Sequence, residues 1–204
     1  MLDNAFAGFN ACLFAYGQTG SGKSYSIVGY GENKGIIPRA CEALFERMKK
    51  NETDPNAKKA SYQVELSMIE IYNEKVQDLF SAPASRPKEG LAVREDPKKG
   101  VFVDGAKFQA VDSYAAIEHQ IDVGTKNRTI GATNMNATSS RAHTVTQIKF
   151  SQRFFDENGK PSNLMVSSIN LIDLAGSERA SGTGATGDRL KEGANINKSL
   201  TMLG

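Results

Sequence analysis

Eight residues near the amino terminus, Gly17-Gln18-Thr19-Gly20-Ser21-Gly22-Lys23-Ser24, spell G-x-x-x-x-G-K-[ST]. Phosphate chemistry calls for these types. Glycines let successive backbone N–H groups turn toward a phosphate without Cβ clashes. The Lys23 ammonium reaches the β- and γ-phosphates, and the Ser24 hydroxyl takes a place on Mg²⁺. This is the P-loop pattern, and its surroundings suit it. Asn10 to Tyr16 is an apolar run with the length of a buried strand, and Tyr25-Ser26-Ile27-Val28 can open a helix. The strand feeding such a loop is normally central in a parallel sheet, so the sixteen residues before Gly17 leave little room for its neighbours.

Two further groups could complete a nucleotide switch. The apolar run Ile169 to Leu174 ends in Asp173-Leu174-Ala175-Gly176, a D-x-x-G. A carboxylate at a strand's carboxyl end can hold the Mg²⁺ shell through water, and the glycine N–H can meet a γ-phosphate. The other group is Asn136-Ala137-Thr138-Ser139-Ser140-Arg141-Ala142-His143, polar residues between a helix and a strand. Its adjacent hydroxyls can supply one Mg²⁺ ligand and one hydrogen-bonding group for the γ-phosphate or the attacking water. Arg141 could pair with Glu178 and close a lid over the phosphate. Taken alone, Ser139-Ser140 reads as a helix-ending polar turn. His119 and His143 are the only histidines, and each reads as a hydrogen-bonded structural residue rather than a proton carrier.

The elements that position these groups can be read from periodicity. Pro38 suits the first turn of a helix running to about Lys50, with Cys41, Leu44, Phe45 and Met48 on its inner face. Residues 51–60 form a solvated loop. From Ser61 to Tyr72, Val64, Leu66 and Met68 alternate against Ile69 and Ile71, which predicts a strand covered on both sides. Val101–Val103 and Phe108–Val111 read as short strands joined at Gly105. Ser113 caps a helix through Val123, with a second helical stretch toward Met135. Val145 to Phe155, the turn Asp156-Glu157-Asn158-Gly159, and Leu164 to Asp173 make the clearest hairpin. Residues 176–188 read as a mobile loop, and Lys191 to Leu203 as a helix. The sum is an α/β layered domain with a mixed, partly antiparallel sheet flanked by helices.

Bulk properties exclude more than they assign. The 204 residues suit one domain or a large piece of one, 39% hydrophobic and 24% charged. A net charge of +2 gives no argument for nucleic acid or membrane. Cys12 and Cys41 read as buried free thiols without disulfide or metal spacing, which favours a reducing, cytoplasmic setting. Neither a signal peptide nor a transmembrane run is expected.

With these motifs in place, the chain resembles a kinesin motor domain. The matching words are F-A-Y-G-Q-T-G-S-G-K-S at 14–24, G-I-I-P-R at 35–39, I-E-I-Y-N-E at 69–74 and S-S-R-A-H at 139–143. D-L-A-G-S-E-R at 173–179 and N-I-N-K-S-L-T-M-L-G at 195–204 complete the set. The stretch Gly187 to Asn195, with Gly29-Tyr30-Gly31, is similar to the third, cargo-transporting class.

The resemblance implies a Mg²⁺-dependent, microtubule-stimulated ATPase of the cytoskeleton, with cargo or adaptors bound by regions outside this chain. It assigns Gly17, Gln18, Thr19, Gly20, Ser21, Gly22, Lys23 and Ser24 to the phosphates and Tyr25 to adenine. Ser139 falls at the position for the attacking water or γ-phosphate, Ser140 and Ser24 on Mg²⁺, and Asp173 on Mg²⁺ through water. Arg141 and Glu178 take the switch salt bridge, and Gly176 the γ-phosphate sensor. Asn197 lies in the relay helix. Track contacts fall in the loop Val93 to Lys99 and the segment Arg179 to Lys198, where Arg94, Lys99, Arg189, Lys191 and Lys198 face acidic tubulin or stand as solvated charges.

Departures from the pattern matter too. Ala142 replaces a usual serine, and Gly182 stands where some relatives carry a basic track contact. An R-x-R-P adenine strand before the loop, the final strands and helices, the basic loop and the neck linker have no counterpart in the sequence. The expectation is a motor domain incomplete at both ends, 1–204, running from P-loop to switch II helix. Such a piece would be unstable or nearly inactive alone, binding nucleotide or tubulin weakly. A P-loop GTPase would need N-K-x-D, but Asn197-Lys198-Ser199-Leu200 has leucine at the aspartate position.

Overall fold

A computed structural model of the chain describes residues 1–97, 100–135 and 139–178. A short helix α1 (Leu2–Phe6) precedes strand β1 (Ala11–Ala15), the glycine loop and helix α2 (Lys23–Ile27). The small hairpin β2 (Gly29–Tyr30) and β3 (Asn33–Lys34) leads into helix α3 (Ile36–Thr53). Then come β4 (Ala60–Tyr72), β5 (Lys75–Asp78), β6 (Val93–Asp96), β7 (Gly100–Val103) and β8 (Gln109–Val111). Helix α4 (Tyr114–Met135), a 3₁₀ turn at Ser139–Arg141, β9 (His143–Phe155) and β10 (Pro161–Asp173) complete the described order.

Six strands form one sheet in the order β1-β10-β9-β4-β5, with β8 also on β4. Among the described residues only β1–β10 is parallel; the β10–β9, β9–β4, β4–β5 and β4–β8 pairs are antiparallel. The mixed sheet expected from the sequence is the one observed. The β9–β10 hairpin closes as read, with Asp156 Oδ1 accepting the N–H groups of Asn158 and Lys160 at 2.9 and 2.8 Å. Such an aspartate turn supplies the local hydrogen bonds that the reversing backbone lacks.

One core joins the sheet to the helices. Val64, Leu66 and Met68 of β4 meet Ile148 and Phe150 of β9, Cys41 and Leu44 of α3, and Ile117 and Ile121 of α4. The Phe150 ring lies 4.8 Å from Phe6 and 5.8 Å from Tyr62 between centroids, so α1 is fastened by aromatic packing. Its end carbonyls are also met. Gln152 Nε2 donates to Phe6 O at 3.1 Å, and Ser167 Oγ donates to Ala5 O at 2.9 Å.

Four local expectations are corrected. Cys12 is exposed rather than buried, and Phe14 on the same face is 49% exposed, because that face of β1 is uncovered among the described residues while Ala11, Leu13 and Ala15 on the other face are half-buried. Helix α4 is one continuous run rather than two, since Gly124 lies against Met68 and Phe80, where a Cβ would collide with Met68 Sδ. The glycine is there for close approach and does not break the helix. The segments around Gly105 are not partners: β7 pairs with β6 in a separate two-stranded sheet, and β8 pairs with β4. Helix α3 runs on through Thr53, past the expected end near Lys50, and shortens the solvated loop. The expected helix at Lys191–Leu203 and the loop beyond Glu178 lie outside the described residues.

Candidate functional site

Topology brings the three motifs together. The parallel register sets Ala15 opposite Asp173, so β1 and β10 leave the sheet at one end and one level. Strand β9 runs the other way, with Thr144 opposite Asp173, so the Ser139–Arg141 turn enters at that same end. Three loops far apart in sequence therefore share one edge. Main-chain bonds tie them: Leu174 N–H donates to Ala15 O at 3.3 Å, Ser177 N–H to Gly17 O at 3.0 Å, and Gly176 N–H to Ser140 O at 2.8 Å.

The loop itself turns through Gly20 and Gly22, whose φ angles of +80° and +87° suit a residue without Cβ. Helix α2 follows at once, anchored by the buried Ile27. Lys23 Nζ donates to the carbonyls of Gly17 and Gln18, both at 2.9 Å, so the ammonium already lies along the loop. Tyr25, half exposed, follows directly.

Ser24 Oγ donates to Asp173 Oδ2 at 2.5 Å, while Asp173 Oδ1 is buried without a hydrogen-bond partner. Thr144 Oγ1, in the residue facing Asp173 across the sheet, is likewise buried and unpartnered. A buried carboxylate oxygen held open beside a hydroxyl is the donor set a hydrated hard cation requires. The oxygens of Ser24 and Asp173 fit a hydrated Mg²⁺ in kind.

Glu178 reaches the loop from the D-x-x-G side. Thr19 N–H donates to its Oε2 at 2.8 Å, and Thr19 Oγ1 donates to Oε1. Burial pushes the Glu178 carboxyl up, but the Thr19 donors and the Lys23 charge outweigh it and hold it below the usual glutamate range. Gly176 is packed under this contact, so a Cβ there would collide with Thr19 Oγ1 and the Glu178 carboxylate. His143 is buried, and its Nδ1 accepts the Ala175 N–H at 3.1 Å. Burial lowers its pKa, with Glu74 and Asp173 opposing, and the ring is a structural histidine as expected.

Ser140 and Arg141 are half-buried in the 3₁₀ turn at the same edge. The side-chain role expected of Ser139 lies outside what the structure describes. Arg94 sits apart on β6, paired with Asp104 at 2.7 Å, with both side chains more than half exposed. Lys99, Arg189, Lys191, Lys198 and Asn197 lie outside the described residues. Sequence reading placed Thr19 among the phosphate ligands but missed it as the partner of Glu178. It also missed the tie from His143 to Ala175. No sequence signal marks the Thr19–Glu178 contact, because it depends on the β1–β10 register that sets residues 19 and 178 at one end of the sheet.

A mixed α/β sheet with a glycine loop, a lysine and a strand-end aspartate at one edge defines a P-loop nucleotide-binding domain. The kinesin motor domain family model matches residues 1–204. This chain belongs to the kinesin motor-domain family. It is 52% identical to human kinesin-like protein KIF13B over 204 residues, covering all of this chain and 11% of the relative. Kinesin-related protein 1 of Dictyostelium discoideum is 53% identical over the same length, covering 9% of that protein. Among solved structures, a KIF14 dimer with AMP-PNP in complex with a microtubule superposes with a TM-score of 0.83 at 45% identity. The match covers 99% of this chain and 55% of that one. The structure of a fast kinesin gives a TM-score of 0.84 at 36% identity. The chain thus spans a small part of its curated relatives and about half of the structural ones.

Proposed function

We propose that this chain is the ATP-binding and ATP-hydrolysing core of a microtubule-based motor, in which two switch loops read the γ-phosphate and pass its state to the track. The carrying observation is the Ser24–Asp173 contact at 2.5 Å beside an open, buried carboxylate oxygen. The KIF14 structures, described as microtubule complexes with AMP-PNP or ADP, support the nucleotide and the track.

In this reading Lys23 exchanges the carbonyls of Gly17 and Gln18 for β- and γ-phosphate oxygens, and the loop amides of 17–24 hold the remainder. Tyr25 stacks on adenine. Bound Mg²⁺ supplies charge neutralisation at the phosphate oxygens. Ser24 and Ser140 orient their hydroxyls toward that ion, Asp173 holds its water shell, and Ser139 positions the attacking water. Arg141 and Glu178 pair when Glu178 leaves Thr19, and the Gly176 N–H turns to the γ-phosphate. Arg94, Lys99, Arg189, Lys191 and Lys198 supply cations toward acidic tubulin. The protein works on the microtubule cytoskeleton, with cargo bound elsewhere in the longer protein.

The test is phosphate release by the protein carrying this chain, with ATP or GTP, with and without microtubules, and with Lys23→Ala as control. ATP-selective turnover raised by microtubules and abolished in the control is expected. A preference for GTP, or turnover indifferent to microtubules, overturns the reading.

A further inference from the structure

Two consecutive amides of the Asp173–Gly176 turn are held by one short segment of chain. Ala175 N–H donates to His143 Nδ1 at 3.1 Å, and Gly176 N–H donates to Ser140 O at 2.8 Å. The two holders differ in kind. Ser140 lies in the 3₁₀ turn before β9, outside the sheet ladder. His143 opens β9 and is paired with Ile71 of β4, so the backbone that carries its ring is fixed to the sheet.

The chemistry of the ring is equally specific. An imidazole that accepts at Nδ1 from a main-chain N–H carries its proton on Nε2. Ala175 is fully buried, so an apolar residue at position 143 would leave its N–H without water or partner. Packing alone needs no lone pair aimed at this amide. At Gly176, by contrast, the backbone itself packs against Thr19 Oγ1 and the Glu178 carboxylate, with no Cβ between them.

We propose that His143 is a positioning residue: it clamps the Ala175 amide as a fixed pivot, about which Gly176 exchanges the Ser140 carbonyl for a phosphate oxygen. The clamp stands on the geometry alone, whereas the exchange rests on the ATPase reading above. Asp173 before the pivot then keeps its place beside Ser24 while the chain after it swings. Nucleotide state thereby reaches Glu178 without disturbing the metal side of the site.

The test is residue-resolved amide exchange at Ala175 and Gly176, in the protein carrying this chain, nucleotide-free and with Mg²⁺ and AMP-PNP. Wild type, His143→Asn, His143→Gln and His143→Leu are compared. Asparagine Oδ1 falls near the Nδ1 position, whereas glutamine carries its acceptor further out. Ala175 stays protected in wild type in both states, and Gly176 alone responds to nucleotide. His143→Leu accelerates Ala175 exchange about tenfold, the loss of one buried hydrogen bond, and lowers kcat more than it changes KM. His143→Asn restores both. Equal Ala175 protection in the leucine and wild-type proteins overturns the clamp. If the leucine variant does not fold, equal protection in the asparagine and glutamine variants overturns it instead. Failure of the wild type to bind AMP-PNP overturns the exchange at Gly176 together with the ATPase reading, while loss of Ala175 protection in nucleotide-free His143→Leu still supports the clamp.

Discussion

The hydroxyl of Ser24 meets the carboxylate of Asp173 at 2.5 Å, across 149 residues of sequence. The contact follows from the parallel β1–β10 pair, in which Ala15 faces Asp173 and both following loops start at one level. A shift of two residues in that register would carry the pair roughly 7 Å apart. Its geometry leads directly to a metal test. Asp173→Asn keeps an oxygen for Ser24 but removes the charge, and Ser24→Ala removes the hydroxyl. Each is expected to weaken Mg²⁺ binding by about 10–100-fold while Mg²⁺-free nucleotide binding holds. Titration of Mg²⁺ against a fluorescent nucleotide measures this, and an unchanged midpoint would count against the site.

Gly176→Ala should separate binding from turnover. The added methyl presses on the ends of two flexible side chains, Thr19 and Glu178, so the fold survives and nucleotide still binds. The turn can no longer bring its N–H to the phosphate. Stimulated phosphate release is expected to fall about 10²–10³-fold, the usual loss when one aimed donor is removed. Unchanged stimulated turnover argues against the sensor role.

Arg141→Ala and Glu178→Ala are expected to depress microtubule-stimulated turnover to a similar extent. If the two act as a pair, the double variant is no worse than either single one. Fully additive losses in the double variant would show that they work independently.

The cysteines give a check that does not depend on activity. Cys41 is buried in α3 with its thiol pushed up to about 12 by burial, whereas Cys12 is exposed. At neutral pH a maleimide should label Cys12 alone in the folded chain, and Cys41 only after denaturation. The folded-state pKa of Cys41 lies above its ordinary 9.0, so its contribution to stability is full below 9.0 and lost as pH climbs toward 12. Replacing Cys41 with alanine removes that alkaline slope from denaturation midpoints. Rapid labelling of Cys41 in the folded state would contradict the assigned burial.

The legible parts of this molecule are those whose cause is local. Val64, Leu66 and Met68 alternate because one face of β4 meets the core, and Asp156 to Gly159 turn because aspartate and glycine supply what a tight reversal needs. The phosphate loop is legible for the same reason. What escaped depends on partners far along the chain. Cys12 and Phe14 look like core residues, and only the absence of a covering element on their face of β1, among the described residues, exposes them. The helix expected to end at Val123 runs on to Met135, and only Met68 across the interface accounts for the glycine at 124. Thr19 and Glu178, 159 residues apart, meet through strand register, which side-chain periodicity does not encode.

That last contact changes how nucleotide affinity should be understood. With Glu178 on the Thr19 amide and Lys23 on the carbonyls of Gly17 and Gln18, the loop already houses an anion and a cation of its own. On the function proposed above, an incoming phosphate would not fill a bare cradle; it would evict a resident carboxylate and redirect an ammonium. The dissociation constant would then be an exchange constant, and substitutions at Glu178 would act on it through the competitor they remove.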